Sequence, residues 1–243
     1  MCDTCGCGDT KIVPVEVQER VLAANDRQAA HNRAHFREQG VLAVNLMGSP
    51  GSGKTAVLEA VARRLAGRRR LGALAGDLAT ENDADRLRAA GVPSLAITTG
   101  SACHLDADMV HEALHRFDWR SVDLLFVENV GNLVCPAVYD LGQAVNVVAL
   151  SMTEGVDKPL KYPAMFRGAD LVLLTKVDLL PHLDFSVAAV LDALARTMPQ
   201  PEVLRLAART GEGIPEWISW LSGRRAGQPR PVAGHAHPHH HHS

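Results

Sequence analysis

The stretch "VLAVNLMGSPGSGKTAVLEAVARRL", Val41 to Leu65, decides the fold of this chain. Val41–Met47 is a short apolar run ending at a glycine, the pattern of a strand buried on both faces. Gly48 to Thr55 then spells G-x-x-x-x-G-K-[ST], in the strand–loop–helix context that gives the pattern meaning. Glycines let successive backbone N–H groups curl around phosphates, and the helix N-terminus adds partial positive charge. Gly48, Ser49, Pro50, Gly51, Ser52, Gly53, Lys54, Thr55 and Ala56 are therefore the candidate phosphate-binding residues. Lys54 is expected to reach the β/γ oxygens, and Thr55 to ligate Mg²⁺.

Working outward, similar apolar runs recur near Leu71, Leu95, Leu125, Val147, Leu173 and Leu204. Helical patterns separate most of them, around Val57–Leu65, Asp83–Ala90, Ala107–Phe117 and Phe185–Thr197. Strands alternating with helices predict an α/β fold, a mostly parallel sheet wrapped on both faces. Aromatics make up only 4% of the chain, so the core falls to Ala, Val and Leu, as such sheets prefer. The predicted organisation is an arm over 1–14, a helix over 15–40 and the nucleotide-binding domain over 41–223. A disordered Pro/Gly/His-rich tail is expected over 224–243. That tail, "GHAHPHHHHS" at its end, is either a natural metal-buffering tract or a purification tag.

A net charge of −2 gives no general attraction to nucleic acid or anionic membrane. No apolar stretch approaches the ~20 residues needed to cross a bilayer. No secretory signal pattern opens the chain, so the cytoplasm is the expected address.

Further acids and loops complete the candidate nucleotide site. Glu128 ends the apolar run "DLLFVE", where a metal- or water-orienting carboxylate belongs, and Asp77 ends the strand before "LATEND". Thr175, Lys176 and Asp178 form "TKVD", the guanine-reading N-K-x-D element with Asn replaced by Thr. A carboxylate at Asp178 accepts from guanine N1–H and the exocyclic amine together, a donor pair adenine lacks. Thr175 loses the amide donor of Asn, which predicts GTP preference with weaker binding. Ala208 and Arg209, in "AARTGEG", are placed to meet the base.

The chain has five cysteines, an odd number that favours metal or redox chemistry over structural disulfides. Cys103 and His104 follow one strand, and Cys135 follows the strand ending at Glu128. Ligands gather outside the carboxyl ends of parallel strands, so both segments are expected on the rim that carries the phosphate loop. Thiolate with imidazole suits Zn²⁺, Ni²⁺ or Cu(I). Two buried free cysteines beside an unrelated histidine fit the same residues. Cys2, Cys5 and Cys7 stand in "MCDTCGC", which fits an exchangeable metal, a redox pair or a disulfide. His111-Glu112-Ala113-Leu114-His115 spells the zinc-protease pattern H-E-x-x-H, but helical phasing puts His111, Glu112 and His115 on the wet face with Asp108 and Arg116. No third ligand follows, and a solvated helix face is expected.

Together these residues resemble the hydrogenase nickel-incorporation GTPase family (HypB), over essentially residues 1–222. The resemblance rests on Cys2-x-x-Cys5-Gly6-Cys7, the phosphate loop, Cys103-His104 with Cys135, and "EGVDKPLKYPAMF" at 154–166. It implies a SIMIBI-class P-loop GTPase that cleaves GTP to GDP and phosphate and dimerises when loaded with nucleotide. It implies a nickel site at Cys2, Cys5 and Cys7, and a nickel or zinc site at Cys103, His104 and Cys135. Its expected partners are a HypA-type nickel/zinc accessory protein and the hydrogenase large subunit. A urease-type nickel GTPase, a small-molecule kinase and a metal-storage protein are the rivals. Thr175 is the departure from the family pattern.

Overall fold

The computed structural model describes residues 15–224. The arm with Cys2, Cys5 and Cys7 and the histidine-rich tail lie outside the described residues. A first helix, α1 (Val15–Glu38), closes at Gly40, whose φ of 68° supplies the left-handed turn that glycine accepts without strain. Then follow β1 (Leu42–Gly48), α2 (Lys54–Leu65), β2 (Leu71–Asp77), α3 (Asn82–Ala89), β3 (Ser94–Thr98) and α4 (Ala107–Arg116). The second half runs β4 (Leu124–Glu128), β5 (Val145–Ser151), α5 (Lys158–Lys161), α6 (Pro163–Arg167), β6 (Leu171–Thr175), α7 (Val187–Thr197), β7 (Val203–Arg205) and α8 (Ile214–Ser222).

The strands form a seven-stranded sheet in the order β3-β2-β4-β1-β5-β6-β7, and every pair is parallel. The apolar runs decide the order of burial. All residues of β1, β4, β5 and β6 are buried, whereas β3 and β7 at the edges are half-exposed. One face packs on α2 and α8 through Val57, Val61, Phe126 and Trp217. The opposite face packs on α1 and α4 through Phe36, Val110, Leu114 and Trp119. Around Met165, Phe166, Val190 and Leu194 a third cluster seats α6 and α7. At ~25 cal/mol per Å² of apolar area, such two-sided burial is the main term holding the sheet together.

Register brings the chemistry to one edge. Leu46 pairs with Glu128, Gly48 with Ala149, Asp77 with Thr98 and Ser151 with Thr175. The carboxyl ends of β1, β2, β4 and β6 therefore share one rim. Between β1 and its two neighbours the strand order reverses, which opens the crevice where such sheets bind ligands. Among the described residues, no helix is long and apolar enough to cross a membrane.

Candidate nucleotide and metal sites on one rim

The phosphate loop is built to leave its N–H groups uncovered. Gly48 has φ 148°, and a Cβ there would sit 2.4 Å from the Ala149 carbonyl oxygen, so only glycine fits. Gly51 (φ 73°) and Gly53 (φ 92°) supply the left-handed turns leading into α2. Lys54 is buried, and its Nζ donates to the Gly48 and Ser49 carbonyls at 3.3 and 3.2 Å. Burial pushes its pKa down, while the carboxylates of Glu128, Asp83 and Glu154 pull it back up. Glu154 braces the loop from "EGVDKPLKYPAMF": its carboxylate accepts from Ser49 Oγ at 2.6 Å and from Ser151 N at 3.0 Å. Next to the loop lies a cavity of about 460 Å³, lined by Lys54, Thr55, Asp77, Asp83, Arg86 and Glu128 among others. Its size is that of a small-molecule site.

Three oxygens meet at Thr55. Its hydroxyl lies 2.7 Å from Glu128 Oε1 and 2.9 Å from Asp83 Oδ1. One hydroxyl proton satisfies only one of these acceptors, so the other contact calls for a proton or a cation. Glu128 Oε2 is buried with no partner, as is Ser52 Oγ in the loop itself. An all-oxygen set of this kind suits a hard divalent ion. Asp83, on α3, is the acid that sequence reasoning missed; nothing in a helical "NDADR" distinguishes it until β2 and α3 fold onto the loop. Asp77 lines the same cavity, but its Oδ1 accepts from Ala79 N and Thr80 N, both at 2.9 Å. Those bonds hold its carboxyl below the usual range and tie it to its own turn.

Burial pushes the Glu128 carboxyl up to about 7, against Lys54 and the Thr55 hydroxyl, which pull it down. The folded pKa lies above the ordinary 4.5, so the unfolded chain ionises first as pH rises. Stability is then lost progressively between about 4.5 and about 7, by up to ~3 kcal/mol, and is level above that. Urea unfolding in chelator should show wild type losing stability relative to Glu128→Gln from about pH 4.5 to about pH 7 and no further loss above it. Parallel pH profiles for the two proteins would contradict this assignment.

The base-side residues adjoin the loop. Buried Thr175 donates its hydroxyl to the Ser52 carbonyl at 2.6 Å, and Lys176 Nζ donates to the Gly51 carbonyl at 2.7 Å. Lys176 is the one non-glycine with positive φ among the described residues, at 60°. Such strain collects where ligands bind. Asp178 Oδ2 accepts from Arg209 Nε at 3.1 Å, so the two predicted base-site loops touch. Ala208 lies beside Arg209, in the turn closed by Ala207 and Glu212.

Cys103, His104 and Cys135 converge. Their sulfur and nitrogen donors all lie within 4.8 Å of one another, with Cys103 Sγ 2.9 Å from Cys135 Sγ and 3.9 Å from His104 Nδ1. Both cysteines are free thiols. Among the described residues this is the only such group with three donors in mutual reach. His104 stacks on Tyr139 with ring centroids 3.9 Å apart, and burial lowers its pKa, favouring the neutral, ligand-competent form. The hydrogen bond with Cys103, with burial behind it, pushes the Cys135 thiol pKa up.

Two asparagines weld this triad to the nucleotide site. Asn132 makes an antiparallel backbone bridge with Gly48 of the phosphate loop, and its Nδ2 donates to the Cys103 carbonyl at 3.2 Å. Asn129, directly after Glu128, accepts from Leu105 N at 3.2 Å through Oδ1. Between them, Gly131 has no room for a Cβ, which would lie 2.9 Å from Pro50. Neither asparagine was legible from the sequence as a link, because each acts across strands that only the sheet makes neighbours.

The His111–Glu112–His115 expectation needs correction. Glu112 and His115 are exposed, but His111 is half-buried against α1, with Nδ1 3.1 Å from Asn32 Oδ1. The helix face is not simply solvated, because α1 covers its edge.

A phosphate loop, an oxygen triad and a thiol–imidazole triad on one rim define a P-loop nucleotide-binding protein with an adjoining cluster of soft donor atoms. Residues 42–205 match the family described as CobW/HypB/UreG, nucleotide-binding domain. The chain is 53% identical to hydrogenase maturation factor HypB of Azotobacter vinelandii over 211 residues, covering 87% of this chain and 70% of that one. Its fold superposes on HypB of Archaeoglobus fulgidus with TM-score 0.77 at 40% identity, covering 83% of this chain and 98% of the other. HypB of Helicobacter pylori, solved in complex with nickel, gives TM-score 0.78 at 39% identity, covering 82% and 94%. The chain belongs to the CobW/HypB/UreG family, on its HypB side.

Proposed function

We propose that this chain is a GTP-hydrolysing metallochaperone that carries nickel for insertion into the large subunit of [NiFe]-hydrogenase. The observation that carries the reading is Asn132, which touches the phosphate loop with its backbone and the thiol triad with its side chain. Occupancy of one site is thereby felt at the other. The nickel complex of the H. pylori relative supports the choice of cargo.

The phosphates lie on the N–H groups of Ser49 to Thr55, and Lys54 exchanges its two carbonyl acceptors for phosphate oxygens. Thr55, Glu128 and Asp83 would hold Mg²⁺, which would neutralise phosphate charge there. Asp77 joins them only if its turn at Ala79 and Thr80 opens. Guanine N1–H and its exocyclic amine replace Arg209 as donors to Asp178, while the Lys176 stem and the Ala208–Arg209 backbone flank the base. Cys103, His104 and Cys135 take the nickel, or zinc, cargo. Three ligands leave a place for water or for a second copy of the triad. Val134 and Val138, 59% and 53% exposed, flank Cys135 and give a GTP-dependent homodimer an apolar contact there. Cys2, Cys5 and Cys7 present nickel from the arm, and a HypA-type accessory protein receives or supplies it.

Equilibrium nickel binding and sedimentation with GDP, a non-hydrolysable GTP analogue, or neither test the coupling. The analogue should drive dimerisation and change nickel affinity by roughly 5–100-fold, with nickel changing analogue affinity by the same factor. Asn132→Ala should shrink that factor toward unity while both ligands still bind. Identical nickel affinity in all three nucleotide states would overturn the proposal.

A further inference from the structure

On the face of the sheet that carries α1 and α4, four imidazoles gather. His31 and His35 stand one turn apart on α1, and His111 and His115 one turn apart on α4. Within each pair the Nε2 atoms are 2.9 and 3.2 Å apart. Across the helices, the His31 and His35 ring centroids lie 5.1 and 6.2 Å from that of His111. We propose that these histidines form a second metal site, taking a divalent transition ion of nickel or zinc type and clasping α1 to α4.

Three observations carry this. First, zinc–imidazole bonds of ~2.0–2.1 Å place neighbouring nitrogens of a tetrahedral site ~3.3 Å apart, close to the separation in both pairs. Histidines at i and i+4 on one helix face are a natural two-point chelate.

Second, the tautomer of His111 is set from outside. Asn32 is fully buried, and its Nδ2 donates to the Ala107 and Leu141 carbonyls at 2.8 and 3.2 Å. Its Oδ1 is therefore an acceptor, so His111 Nδ1 must be the donor at 3.1 Å. Neutral His111 then carries its lone pair on Nε2, the atom facing His115. An oxygen accepting from the far nitrogen of a ligating imidazole is the usual second support of a metal-bound histidine, and the Asn32 amide oxygen fills that role here.

Third, the helices are held in this relation by contacts independent of the imidazoles. Asn25 Oδ1 accepts from Ala107 N at 2.9 Å, and Asn32 grips the carbonyl of the same residue. Without a metal, each close Nε2 pair shares one proton. The ion takes its place in both pairs, and the donating ring of each pair, His115 in the second, passes that proton through water to its own Nδ1, so every imidazole stays neutral and no net proton is released. The donors of the four rings do not yet meet within the 4.8 Å reached by the thiol triad. Exposed His31 and His115 would have to change rotamer to close that gap.

Hydrogen exchange of the full chain, read on peptides from α1 with zinc or with chelator, tests the site locally, whatever the metal does elsewhere. At free zinc a hundred times the Kd, exchange through opening of α1 should slow by about a hundredfold. Exposed His31 and half-buried His35, substituted as His31→Gln/His35→Gln, should keep the fold and lose this protection. Cys103→Ser/Cys135→Ser should retain it, which separates this site from the thiol triad. No zinc-dependent slowing in wild type, or equal slowing in the His31→Gln/His35→Gln protein, would overturn the inference.

Discussion

Alanine in place of Lys54 is expected to lower GTP turnover at least ~100-fold and to weaken GTP binding more than GDP binding. The ammonium sits buried among the carboxylates of Glu128, Asp83 and Glu154. Its removal takes away the cation that meets the β and γ oxygens. It also leaves those acids facing incoming phosphate without a counter-charge. Each loss acts at buried side chains, where charge interactions are stronger than in bulk water. Because the γ-phosphate adds the most negative charge, the triphosphate suffers most. The fold should survive, since Nζ makes only two long bonds to loop carbonyls, at 3.3 and 3.2 Å. Steady-state phosphate release and titration with fluorescent GTP and GDP analogues measure the effects. Turnover within fivefold of wild type would show that the loop is not the catalytic centre.

Serine in place of Cys103 is expected to weaken nickel binding at the rim at least ~100-fold, leaving GTP affinity unchanged. Loss of a supporting contact behind a metal ligand typically costs 10–100-fold, and loss of a ligand itself costs more. A hydroxyl has the size of the thiol but neither its softness nor its acidity, so little thiolate-like character remains for a borderline ion. Cys103 is only half-buried and the polar contacts of its Sγ are with Cys135 and His104, so stability should barely change. The measurement needs Cys2, Cys5 and Cys7 replaced by serine in both proteins, to silence the arm. Loss of sulfur-to-nickel charge-transfer absorption is the direct readout. Undiminished absorption would move the rim metal to other ligands.

Parallel topology was legible because its causes are local. Short apolar runs such as Val41–Met47 and Leu171–Thr175 must be buried on both sides, and only crossover helices bury them so. The phosphate loop was legible for the same reason: Gly48, Gly51 and Gly53 each answer a backbone angle or a close approach within a few residues. The wet face assigned to His111 failed where a distant segment intervened. Helical phasing knows nothing of α1, which supplies Asn32, His31 and His35 from about eighty residues away.

Acting alone, the order of residues determined that a strand would be followed by an anion-binding turn, and that soft ligands would lie in loops after strands. Backbone geometry and apolar patterning operate over one or two turns of chain, so they can be read without a partner. Only the folded sheet decided which acid meets Thr55, that Asn132 would join loop to thiols, and that four imidazoles would share a face. Those contacts bridge 28 residues for Thr55 with Asp83, 29 for Asn132 with Cys103 and 73 for Thr55 with Glu128. They exist only once strand register and helix docking have fixed their distances.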